Sequence, residues 1–164
     1  GEADQAALDR LANIVKNEKQ EYEEEEKESI RKGKEFHEKC MGMKDFKKLV
    51  SPDSKVEMKI VHVDGDSLGT AIVTTVVDAS VEDCAAFVMV GLGGRETIRK
   101  KGASNRIVKQ INSHSVYYIS TRELYFLENP REGRARVIWM KEKDGKVVID
   151  ISDTKDVMEE YPVK

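Results

Sequence analysis

The side chains with most scope for recognition chemistry lie in the C-terminal half: Tyr117, Tyr118, Arg122, Arg134, Arg136 and Trp139. Strand alternation puts Tyr118 and Arg122 on one face of a strand, and Arg134 and Arg136 on one face of a later strand. Turned inward, such a face lines a large apolar cavity holding one or two cationic groups, which suits an amphiphilic ligand with an acidic head. Turned outward, the same residues are ordinary exposed arginines. On the inward reading the ligand-binding residues are Tyr118, Arg122, Arg136 and Trp139.

Other chemistries find less support. His37, His62 and His114 fall on a helix, a strand and a turn, with no Gly-x-Ser-x-Gly elbow to place a nucleophile beside any of them. No pair of carboxylates stands out from the 31 acidic residues. Cys40 and Cys84 are the only cysteines and match no zinc spacing, so no metal site, no cofactor and no catalytic residue is expected, and the chain reads as a non-enzyme. Gly91-Leu92-Gly93-Gly94 lacks the strand-loop-helix order and the Gly-Lys-Ser/Thr of a phosphate cradle, and reads as a helix end. Arg95, Arg99, Lys100, Lys101, Arg106 and Lys109 make a local basic stretch, either a phosphate or head-group contact or a solvated face. Overall, 28 basic against 31 acidic residues and 6% aromatics argue against a nucleic-acid partner. Two thiols without a disulfide framework, no secretory segment and no membrane-length apolar run predict a cytoplasmic protein.

The elements that must position these residues begin with helix. Apolar residues recur from Leu8 through Ile14, Ile30, Phe36 and Cys40, predicting one long N-terminal helix over residues 4–49, with a bend or break near Gly33. Glu23-Glu24-Glu25-Glu26 interrupts the apolar stripe and must face water, and strict heptads fail. Ser51-Pro52-Asp53 closes this part. Alternation then predicts a strand at 56–60 and a β-branched strand at 70–77, paired as a hairpin. Ser80 is a good N-cap for a helix over 81–90, with Asp83 three residues on. A short helix at 95–101 and strands at 106–111, 115–124, 135–141 and 146–151 follow, the last two joined by Lys143-Asp144-Gly145. At 164 residues this makes one α+β domain, residues 51–164, behind an N-terminal helical segment, residues 1–50.

That order of helix, two strands, a helix entered through Val77-Asp78-Ala79-Ser80-Val81-Glu82-Asp83, and consecutive antiparallel strands resembles the START-like lipid-binding superfamily, of helix-grip fold. The stretches Asn112-Ser113-His114-Ser115-Val116-Tyr117-Tyr118 and Pro130-Arg131-Glu132-Gly133-Arg134-Ala135-Arg136-Val137-Ile138-Trp139 are similar to the segments that follow the family's central helices. Gly133 stands where the family usually has a bulky aromatic, and the chain stops where START domains continue with further strands and a closing C-terminal helix. The resemblance implies a curved antiparallel sheet gripping the 81–90 helix around a lipid or other hydrophobic small molecule, as a module of a larger intracellular protein. The face left open is expected to be covered by the N-terminal helix, a second copy or ligand. The alternative is a structural or protein-interaction module that dimerises through the long helix or the open sheet.

Overall fold

The computed structural model describes residues 2–92, 103–122 and 131–156, with only the backbone described at 2–3, 103–108, 122 and 131. The chain divides into two compact units, Gly1–Ile30 with Ser80–Lys164, and Arg31–Ala79.

The N-terminal helix of the sequence reading is two helices. α1 (Glu2–Asn17) and α2 (Glu24–Met41) are separated by residues 18–23, and α2 runs through Gly33 unbroken. The interruption falls at the glutamate run because Glu26 turns back into the helix start: its Oε1 accepts from the Glu23 amide at 3.0 Å, as in a capping box. The cost of roughly 1 kcal/mol for Gly33 is small enough for a helix of this length to absorb. α2 gives its first turns to the first unit and the remainder to the second.

In the first unit α3 (Val81–Gly91) starts where its cap predicts, with Ser80 Oγ accepting from the Asp83 amide at 3.0 Å. A four-stranded antiparallel sheet follows, in the order β4 (Ala103–Asn112), β5 (Ser115–Arg122), β6 (Arg131–Lys141) and β7 (Val147–Asp153). The β6–β7 turn needs Gly145, whose φ of +91° is open only to glycine at little cost. Register pairs Val116 with Val137 and Trp139 with Ile149, so these residues share a face. That face carries the core, with Val116, Val137 and Trp139 packed against Val15 of α1 and Ala85 and Met89 of α3. Leu11 and Ile14 of α1 complete it. α1 and α3 thus both contribute to the core on this sheet face.

In the second unit β1 (Lys47–Lys48), β2 (Val56–Val61) and β3 (Thr70–Thr75) form a three-stranded antiparallel sheet in that order. Lys47–Lys48, which helix periodicity extends into a last helical turn, pairs instead with Lys59 and Ile60. Cys40 of α2 packs with Val61 and Val63, flanked by Met43 and Ile72. Gly69, just before β3, leaves room for Ile60, since a Cβ there would sit 2.5 Å from Ile60 Cγ2 and force it to shift. Residues 95–101, 123–130 and 157–164, which hold the expected short helix and a connecting loop, lie outside the described residues.

Candidate functional site: an apolar groove beside a buried polar clamp

Two features of the first unit compete for a functional reading. The first is a groove of about 460 Å³ where α1, α3 and the β4–β5 hairpin meet. Its walls are Ala7, Leu11 and Ile14 from α1, Met89 and Val90 from α3, and Val116 from β5. Arg10, Gln110, Asn112 and Ser113 supply its polar groups. The volume lies within the roughly 300–1,000 Å³ of small-ligand sites, and a mainly apolar lining with few polar groups is their usual composition. No Asp, Glu, His, Cys, Lys or Tyr stands among the described lining residues, so the groove holds a cation in Arg10 but no general base. A larger groove of about 980 Å³, between residues 15–22 and the β6–β7 hairpin, is lined by charged groups of both signs, including Lys16, Glu18, Lys143 and Asp144. An apolar ligand gains less there, because those groups would have to be desolvated.

The second feature is a buried polar cluster around His114. The β4–β5 turn places it: the Asn112 side chain accepts from the His114 amide at 2.9 Å. Its Nε2 donates to Glu26 Oε2 at 2.7 Å, and its Nδ1 lies 2.7 Å from Gln20 Oε1. Tyr22 lies over the imidazole at a centroid distance of 4.1 Å and donates its hydroxyl to the Trp139 carbonyl at 2.6 Å. Burial, with Glu26 adding to it, pushes the Tyr22 phenol far above its ordinary range. The Trp139 indole N–H donates to the Ser113 carbonyl at 2.9 Å. Both members of the His114–Glu26 pair are almost fully buried, with side chains 3% and 2% exposed. A His–carboxylate pair can serve as a base with its orienter, but no substrate atom reaches one so enclosed. Its work is structural: it ties residues 18–26 to the sheet.

Of the residues read from sequence as ligand contacts, Tyr118 and Trp139 share one core and Arg136 lies on the other face of the sheet. Tyr118 packs against the helix-covered core, where burial and the Asp153 charge raise its pKa. Trp139 is 1% exposed in the same core, and borders the charged groove rather than the apolar one. Arg136 is three residues from Trp139 and therefore on the opposite face. There its Nε donates to Ser115 Oγ at 3.3 Å and it pairs with Glu25 at 3.0 Å, its guanidinium 5.7 Å from the Tyr117 ring centroid. The side chain of Arg122 lies outside the described residues. Sequence reasoning missed the α1 residues of the apolar groove. Their signal was the Leu8, Leu11, Ile14, Val15 stripe, read as a helix packed at its ends and not as a cavity wall.

No family model matches the chain, and no curated protein matches its sequence. Among solved structures it is similar to the STAR-related lipid transfer protein from Xanthomonas axonopodis, with a TM-score of 0.58 and 12% identity, over 73% of this chain and 64% of that one. The fold is START-like: an α+β helix-grip arrangement. The chain spans a little under two thirds of the structure it matches. No helix among the described residues is long and apolar enough to cross a membrane.

Proposed function

We propose that this chain binds a lipid or similar hydrophobic ligand without transforming it, acting as a module of a larger cytoplasmic protein. The carrying observation is the apolar groove between α1, α3 and the β4–β5 hairpin. It lies against the helix that a START-like fold holds on its sheet. An acyl chain or ring system would lie against Leu11, Ile14, Met89 and Val116, with an acidic head near the exposed Arg10. A lining without a general base favours holding over catalysis. Support for a lipid as the ligand class comes from the name of the similar structure, which is a lipid transfer protein.

The test is a titration of delipidated protein with a fluorescent fatty acid. Leu11→Trp and Met89→Trp fill the groove and should lower affinity about tenfold or more, a loss of about 1.4 kcal/mol or more. Arg10→Gln should weaken a fatty acid more than the corresponding alcohol. Equal affinity in all three variants would overturn the assignment.

A further inference from the structure

The second unit carries a different kind of site. Its sheet has two edges, and they are unlike. β1 is two residues long and both are exposed lysines, the usual guard against edge pairing. β3 is six residues, Thr70–Thr75, with no charge, no proline and four β-branched residues besides Thr70. Among the described residues β3 pairs with β2 alone, and no strand pairs with its other edge.

A groove of about 670 Å³ runs beside it, lined by every residue from Thr70 to Thr75 and by Phe36, His37, Cys40 and Met41 of α2. A groove over one face of a strand would touch alternate residues. One lined by all six consecutive residues runs along the strand's backbone edge. One wall is therefore a strand edge without a backbone partner among the described residues, and the other is the Phe36, His37, Cys40 and Met41 patch of α2.

We propose that this groove takes an extended, uncharged peptide strand from a partner protein, added to β3 as a fourth strand. Six residues of strand span about 20 Å, so the 670 Å³ groove has a section of about 33 Å². A strand inside a sheet occupies about 4.8 by 10 Å. The groove thus holds one backbone and the side chains of one face, against Phe36 and Met41, while the alternate side chains point away from α2. No Asp, Glu, Lys or Arg stands among the described lining residues, so a charged side chain turned toward α2 would lose its water with no counter-charge from them. Backbone pairing supplies affinity and the α2 wall selects alternate apolar residues, as in other strand additions. A second copy of this chain fits less well. Antiparallel pairing of two β3 strands about a twofold axis puts both α2 helices on one side of the joined sheet, each competing for the space the groove provides.

The proposal is independent of the lipid groove in the first unit and is tested on the whole chain. The probe is a fluorescein-labelled octapeptide of alternating valine and threonine with a dilysine tail, followed by anisotropy and hydrogen exchange. Binding should slow exchange of the 70–75 amides by about fivefold or more. Val73 is exposed, so Val73→Lys should leave the melting temperature unchanged while weakening the peptide about tenfold or more. Replacing the peptide's valines with glutamates should weaken it as much. Unslowed exchange at 70–75 under saturating peptide, or equal affinity for Val73→Lys, would overturn the proposal. So would protection of 70–75 that rises with protein concentration in the absence of peptide, which would assign the edge to a second copy.

Discussion

Replacing Glu26 with alanine is the sharpest test of how the chain between α1 and α2 is held. The carboxylate does two things at once. Oε1 accepts from the Glu23 amide and caps α2, and Oε2 accepts from His114 Nε2. Losing a cap costs about 1 kcal/mol. Leaving the 3%-exposed His114 ring without its acceptor costs a further ~1–3 kcal/mol. Arg136 loses its longer contact to Glu26 at 3.9 Å but keeps Glu25 at 3.0 Å. The sum is about 3 kcal/mol, or a melting temperature lower by about 6–12 °C for a chain of this size. Trp139 is the sole tryptophan and its indole lies edge-on to His114 at 6.2 Å, so urea unfolding followed by its fluorescence reads this cluster directly. His114→Ala should cost a similar amount, because it leaves the Glu26 carboxylate buried without that partner. The double variant should recover about 1–2 kcal/mol of the summed losses, since the two groups are in contact. A Glu26→Ala protein within about 0.5 kcal/mol of the parent, the range of ordinary surface substitutions, would refute the clamp. Strict additivity in the cycle would refute the pairing.

Further outcomes follow from the same geometry. The Tyr117 phenol is pushed up to about 12 by burial and by its hydrogen bond to Asp156, so its neutral form is favoured in the folded state. A pKa raised on folding gives stability that is complete below the unfolded value of about 10 and is lost as pH rises through the folded value. Stability should therefore fall between pH 10 and 12, less steeply in Tyr117→Phe, as measured by urea unfolding across that range. Ser80→Ala removes the α3 cap and should cost about 1 kcal/mol by thermal melting, with Ser80→Asp neutral. Trp139→Ala should cost about 3–5 kcal/mol, as for other large buried aromatics, and a loss under 1 kcal/mol would contradict its place in the core.

What could be read from the chain was whatever is set locally. Ser80 fixes the start of α3 because its bond to the Asp83 amide spans three residues. Lys143-Asp144-Gly145 fixes the β6–β7 turn because Gly145 adopts a positive φ and Asp144 accepts from the Lys146 amide at 3.1 Å. The β2–β3 hairpin follows from alternation in β2 and the β-branched run of β3. The break between α1 and α2 was not legible, because what stabilises it comes from far along the chain: Tyr22 bonds to Trp139, and Gln20 and Glu26 bond to His114. A glutamate run reads as water-facing until a histidine 88 residues away is known to face one of its members. β1 was hidden because two lysines carry no alternation, and only its pairing with Lys59 and Ile60 defines it. The site reading grouped Arg136 with Trp139, although an odd spacing along one strand separates their faces. It passed over α1, because a stripe of Leu11 and Ile14 looks the same whether it packs solidly or walls a groove.

Native mass spectrometry of the purified chain, repeated after denaturation, bears most directly on the central claim. The groove between α1, α3 and the β4–β5 hairpin predicts a lipid-sized mass excess on the folded protein that is lost on unfolding and is absent from Met89→Trp. A protein of bare mass that also fails to retain added fatty acid would contradict ligand binding in that groove.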